Sequence, residues 1–343
     1  MKKLLASVLT GTMALSLLAG CGGGGGGSTE GGASTEGGSS DGSKNITMVL
    51  SQRDEWLSTL DTAAKDSASA AGYKMTSQDS LSDTNKQIQF VTSAAAAGEK
   101  AIIVNLVDPN IAGDIIEAAG DMKVVFVNRP PQDMSLLNEN AVYVGSDELT
   151  SGKFQGEWLV EHFKAEGKTD IKYILLNGIM GQVSTTNRTA SVLQALKDGG
   201  INATEASAPL ACDFDRAEAM TQITPLLTGG KQFDCIISNN DAMALGAIEA
   251  LENADIDPAS IPIVGIDATA DGRQAVKDGK MSMTVFQNAK GQGEGAMKAA
   301  LNMLEGKPIN DGTEYEVASD NPYVIWVPFE PVTSDNVAEY DNR

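Results

Sequence analysis

The chain has 343 residues, with 46 acidic side chains against 25 basic ones, a formal charge of −21 and one histidine. Such an acidic balance excludes phosphate-backbone binding, which needs clustered Lys and Arg. A lone His162 and three cysteines without a Cys-x-x-Cys pair exclude a zinc site and a histidine-based triad.

Lys2 and Lys3 precede an apolar run from Leu4 to Leu18. That run is short of the roughly 20 residues that cross a bilayer, so residues 1–20 read as a signal peptide. It ends in Leu18-Ala19-Gly20-Cys21, which resembles a bacterial lipobox and makes Cys21 the expected lipidation site. Residues 21–44 are Gly-rich with Ser, Thr, Glu and Asp. They cannot bury apolar surface, and a flexible tether is expected. The body from Asn45 is long enough for two domains. Strand-like runs occur at Ile46–Leu50, Lys74–Ser77, Ala101–Asn105, Lys123–Asn128, Lys172–Asn177, Thr204–Ala208, Cys235–Ser238, Ile261–Ile266 and Thr284–Gln287. Helical spacing lies between them: Ile88, Val91 and Ala95 follow i, i+3, i+7, and Ala244, Ile248 and Leu251 follow i, i+4, i+7. Continuous apolar strands alternating with helices predict an α/β protein with doubly wound parallel sheets covered on both faces. Cys212 and Cys235 could pair in an exported protein, but cysteines in separate elements read more readily as free and buried, and His162 reads as a surface residue of the helical run 157–165.

In such sheets ligands bind beyond the carboxyl ends of the strands. Asp54 and Trp56 follow the first strand, and Asn105 ends the third. Gln182, Ser184 and Arg188 follow Lys172–Asn177, and Asp213, Phe214 and Asp215 the next run. Then come Asn239, Asn240 and Asp241, then Asp267, then Gln287 and Asn288. Planar polar groups and two aromatics thus gather at one edge with no nucleophile beside a base. This is a hydrogen-bonding cage rather than a reaction centre. Singly, each residue has a plainer reading. Asp54 and Asp241 suit helix N-caps, Asn105 a strand-end turn, and Trp56 a core face with Leu60 and Ala64. Capping does not account for Arg188, Phe214 and Trp56. Gly291-Gln-Gly-Glu-Gly295 lacks the lysine of a phosphate loop, and Asp267–Gly272 is only a fragment of a calcium loop.

Several phrases occur in the order found in galactose/glucose-binding proteins, type I periplasmic sugar-binding proteins of ABC transporters. They are Asn105-Leu-Val-Asp-Pro109, Val124-Val-Phe-Val-Asn128, Tyr143-Val-Gly-Ser-Asp147, Asn239-Asn-Asp-Ala-Met-Ala244, Val264-Gly-Ile-Asp267 and Asp335-Asn-Val-Ala-Glu339. The chain from Asn45 onward resembles that family. The resemblance implies two similar lobes joined by a three-segment hinge near Gly145, Val285 and Pro322. The N-lobe would take residues 45–145 and 286–322, and the C-lobe residues 146–285 and 323–343. It further implies that Asp54, Asn105, Arg188, Asn240 and Asp267 bond sugar hydroxyls while Trp56 and Phe214 cover the two ring faces. A pyranose offers hydroxyls at its edge and C–H bonds on its faces, which suits this division. Gln287 replaces an asparagine, Gln182 a histidine and Ser184 an aspartate, and the last change is expected to leave Arg188 less neutralised. Residues 165–170 are too short for the family's calcium loop, so no metal is expected there, and no cofactor is implied.

The expected partners are a monosaccharide, galactose or glucose, and an ABC permease that recognises the closed form. The membrane is a third, through Cys21 at the outer face of the bacterial cell. A monomer that binds no nucleic acid is expected. A sugar-responsive repressor shares the fold but needs a helix-turn-helix where the signal peptide stands. An exported carbohydrate-active enzyme would need paired carboxylates, such as Asp54 and Asp267. A chemotaxis sensor has the same sequence signature as a transport protein.

Overall fold

The computed structural model describes residues 44–343. The apolar runs become strands buried along their whole length. Asn45–Leu50 (β1), Ala101–Val104 (β3), Lys123–Val127 (β4), Ala141–Gly145 (β5) and Cys235–Ser238 (β9) have almost every residue inaccessible. Burial on both faces is what a helix-covered parallel sheet requires. The edge strands are polar instead: Lys74–Asp79 (β2) and Asn202–Glu205 (β7) alternate or stay exposed, which discourages edge-to-edge association.

Two seven-stranded sheets result. The first runs β12-β13-β5-β4-β3-β1-β2, where β12 is Glu316–Val317 and β13 is Val324–Trp326. The second runs β14-β11-β10-β9-β6-β7. There β6 is Asp170–Asn177, β10 Ile263–Val264, β11 Met283–Gln287 and β14 Phe329–Thr333, with β8, Leu210–Ala211, on the flank of β6. Pairing is parallel except between β12 and β13 and between β11 and β14. Each sheet carries a buried apolar cluster on either face. Cys212 and Cys235 lie in these layers as free thiols, and burial pushes both thiols up.

Helices begin at short polar caps that the chain places after each strand. Asp54 accepts the Leu57 N–H at the start of Glu55–Ala70 (α1), and Asn240 accepts that of Met243 at the start of Asp241–Asn253 (α7). Asn288 caps Ala289–Glu305 (α9) through Gly291. The glycines of 291–295 therefore lie inside a helix. A Cβ on Gly293 would sit 2.3 Å from the Leu60 carbonyl oxygen, so this glycine lets α9 lie against α1.

The lobes exchange chain three times: between β5 and Glu148–Ala165 (α4), between β11 and α9, and between β13 and β14. Two crossings differ from expectation. The third is at Val327–Pro328 rather than near Pro322, because Val324–Trp326 pairs with β5 of the first sheet, Ile325 opposite Val144. The second, expected near Val285, falls just after Gln287, because β11 continues alongside β14 to Gln287, opposite Phe329. The strand at 261–266 is only two residues long, and β7 ends at Glu205 rather than Ala208.

Candidate functional site

The carboxyl ends of both sheets face one cavity of about 160 Å³ between the lobes. The first lobe contributes Gln52, Asp54 and Trp56 from the β1–α1 turn, and Asn128 and Arg129 from the end of β4. The second contributes Gln182, Ser184 and Arg188 around Val183–Asp198 (α5), then Phe214, Asn240, Asp267 and Gln287 from successive strand ends. Nine of the ten predicted residues thus line one wall or another.

The exception is Asn105. It is fully buried and does not line the cavity. Its Oδ1 accepts the Ser51 hydroxyl at 2.7 Å, and its Nδ2 donates to the Val127 carbonyl and to Asn128 Oδ1, each at 3.2 Å. Asn105 therefore ties the ends of β1, β3 and β4 together and orients Asn128, which reaches the cavity in its place. Gln52, Asn128, Arg129 and Glu148 are among the wall residues absent from the sequence expectation. Asn128-Arg129-Pro130 follows a strand directly and was legible by the strand-end rule. Glu148, in the first turn of α4, reads in sequence as an acid complementing the helix dipole.

Glu148 also corrects the expectation that Arg188 is poorly neutralised. Arg188 Nε donates to Glu148 Oε2 at 2.6 Å and Nη2 to Oε1 at 3.1 Å, a two-pronged pair in which both side chains are about 95% buried or more. Nη1 donates to the Asn239 carbonyl at 2.7 Å and lies 4.0 Å from Asp267 Oδ1. The carboxylate missing at Ser184 is supplied from another helix. Burial lowers the Arg129 guanidinium to about 10, with Asp54 acting against the shift; it stays charged at neutral pH and donates to the Leu106 carbonyl. Burial raises the Asp267 carboxyl well above the usual range against the pull of Arg188, and the nearby acids Asp241, Asp54 and Glu148 add to the rise.

The cap reading of Asp54 and the core reading of Trp56 hold beside the site reading, whereas α7 is capped by Asn240 and Asp241 is its first helical residue. Asp54 is the N-cap of α1 and a wall residue. Trp56 packs partly against the first-lobe core and also lines the cavity. Its Nε1 donates across the cleft to the Gln287 carbonyl at 3.0 Å. Gln182 spends its amide N–H on Val107 of the opposite lobe at 2.8 Å, so it bridges the lobes as well as lining the cavity. With both bridges in place the cleft is closed. Gln287 Nε2 is buried without a partner, at a cost of about 1–3 kcal/mol that an acceptor on a ligand would relieve. Phe214 adopts φ 62° and lays its ring on Gly178, where a Cβ would meet it at 2.0 Å. Asn128, Asp267 and Ala268 are likewise in the positive-φ region, and strained strand-end loops of this kind cluster at ligand clamps.

A two-lobed α/β protein with a closed, ring-sized cavity walled by hydrogen-bonding groups is a solute-binding protein rather than an enzyme. The sequence matches the periplasmic binding protein domain family over residues 46–308, and the chain belongs to that family. A Rhizobium meliloti protein named for rhizopine binding is 30% identical over 87% of this chain and 88% of its own. The D-galactose/methyl-galactoside binding periplasmic protein of Haemophilus influenzae is 31% identical over 80% of this chain and 85% of its own. An ABC transporter solute-binding protein from Bacillus halodurans, solved with bound myo-inositol, superimposes with a TM-score of 0.76 at 29% identity, covering 88% of this chain and 99% of that one.

Proposed function

We propose that this protein is the extracytoplasmic sugar-binding component of an ABC importer, closing on one aldohexose, galactose or glucose, and presenting it to a permease. The supporting observation is the cavity wall: charged and amide groups from both lobes around a ring-sized space, with half-buried Trp56 and Phe214 on opposite lobes. A cavity of about 150 Å³ holds a single six-membered ring, so the volume favours a monosaccharide over an oligosaccharide. A cyclitol is the second reading, favoured by the myo-inositol bound in the Bacillus halodurans relative.

A thermal-shift screen with D-galactose, D-glucose, D-ribose and myo-inositol separates the readings. Ligand at about 100 times Kd stabilises the native state by about 2.7 kcal/mol, or roughly 5 °C in a protein of this size. Galactose or glucose is expected to give the largest shift. A response to myo-inositol alone would move the assignment to the second reading, and no response to any of the four would end the sugar proposal.

Contacts from both lobes favour the closed state. X-ray scattering in solution is therefore expected to give a smaller radius of gyration with sugar than without, and superimposable curves would contradict ligand-driven closure. The proposed anchor, Cys21, lies outside the described residues. Cys21→Ser is expected to release the protein from the membrane or leave it unprocessed; a processed variant that still fractionates with membranes would remove the lipid from the proposal.

A further inference from the structure

A second carboxylate stands behind Asp267 without lining the cavity. Asp241, the first residue of α7, is fully buried. Its Oδ2 accepts the Thr269 N–H at 2.9 Å, and its Oδ1 accepts the Thr284 hydroxyl at 2.6 Å. Thr284 Oγ1 in turn accepts the Ala268 N–H at 3.2 Å. The two backbone amides that follow Asp267 therefore end on one side chain, the second directly and the first through a threonine. Arg273 donates to the Ala268 carbonyl and holds the other side of the same peptide.

The turn held in this way is one that side-chain-bearing residues resist. Asp267 has φ 119° and Ala268 φ 50°, each costing about 1–3 kcal/mol unless the surroundings enforce it. Neighbouring backbone leaves room for the carboxylate: a Cβ on Gly265 would lie 2.2 Å from Asp241 Oδ1, and one on Gly272 2.1 Å from Oδ2. Burial raises the Asp241 carboxyl to about 7, so the group is costly where it stands, and a buried charge is a poor way to gain stability alone.

We propose that Asp241 is a positioning residue for ligand binding: with Thr284 it locks the strained Asp267–Ala268 turn and so sets the angle at which the Asp267 carboxylate meets the ligand. Besides Asp267, the charged groups that act on it are Arg273 of the Ala270–Lys277 helix (α8) and Glu55 at the start of α1. Arg188, Asp54 and Glu148 act in turn on Asp267. Only the ligand arm of the test rests on the sugar-binding reading.

The test uses Thr284→Val, which keeps the shape and removes the relay, together with Asp241→Ala and Asp241→Asn. Amide exchange at Ala268 is expected to accelerate at least about tenfold in Thr284→Val, and at both Ala268 and Thr269 in Asp241→Ala, with β1 and β9 amides unchanged. Titrated with D-galactose, the same two variants are expected to bind at least about tenfold more weakly. Asp241→Asn, which keeps an acceptor for Thr269 and a partner for Thr284, is expected to stay within about threefold of the parent. Unchanged exchange at Ala268 and Thr269 would overturn the proposal, as would parental galactose affinity in Thr284→Val. Exchange that rises uniformly across the second lobe, without rescue by Asp241→Asn, would reduce Asp241 to a structural role and also overturn it. If the parent itself ignores galactose, the ligand arm is run with whichever of D-glucose, D-ribose or myo-inositol it binds, and the exchange arm decides the clamp in either case.

Discussion

Glu148→Ala is expected to lower the free energy of unfolding by about 3–5 kcal/mol, the usual cost of stranding one partner of a buried ion pair. Arg188 loses the carboxylate bonded at 2.6 and 3.1 Å, and its side chain is about 95% buried. The nearest remaining carboxylate is Asp267, 4.0 Å away. Arg188 is expected to turn towards it and compete with the ligand, so binding should fall together with stability. Glu148→Gln, which keeps one acceptor, should lie between the variant and the parent. Urea unfolding followed by fluorescence measures the first effect and calorimetric titration the second. A midpoint unchanged in Glu148→Ala would mean that the Glu148–Arg188 pair contributes nothing to stability.

Asp267→Asn is expected to move stability and binding in opposite directions. Burial and three nearby acids raise the Asp267 carboxyl well above its ordinary value. A raised carboxyl costs the fold nothing below its unfolded value, about 3.9, and an increasing amount as pH rises towards its folded value. At neutral pH the amide is therefore expected to leave the unliganded protein at least as stable as the parent. Binding goes the other way. A carboxylate that accepts sugar hydroxyls forms charge-assisted bonds worth about 1.5–3 kcal/mol, so the variant should bind at least about tenfold more weakly.

The same linkage gives a pH dependence. Hydroxyl donors favour the ionised carboxylate, so sugar affinity should rise with pH, while the apo protein loses stability over the same range. Asp241, raised to about 7 by burial, adds to that loss between about pH 4 and 7. Titrations across this range check both trends; affinity independent of pH would mean that Asp267 accepts no hydroxyl. Trp56→Ala, which removes one ring face, should also weaken binding at least about tenfold; its Nε1 bridge to Gln287 is lost with it.

Local sequence determined the layered α/β architecture and most of the strand ends. Continuous apolar runs such as Cys235–Ser238 can be buried only between two helical layers, and an Asp or Asn placed before a helical run, as at Asp54 and Asn240, satisfies N–H groups within three residues of itself. Those are short-range effects that set the strand ends, from which nine of the ten expected side chains line the cavity once the lobes meet. Tertiary structure decided the rest, because the deciding partners are far apart in the chain. Glu148 reaches Arg188 across 40 residues only when α4 and α5 pack together. Gln182 meets Val107 across 75, and Trp56 meets Gln287 across 231, only when the lobes close. Asn105 ends a strand and matches a sugar-bonding asparagine in the resemblance, yet the ends of β1 and β4 enclose it, and Asn128 lines the cavity in its place. Val324–Trp326 carries no local mark of which lobe it joins; hydrogen bonding to β5 assigns it to the first and sets the third crossing. Hydrophobic periodicity specifies which face of an element is buried, but which buried polar group meets which depends on how distant elements are brought together.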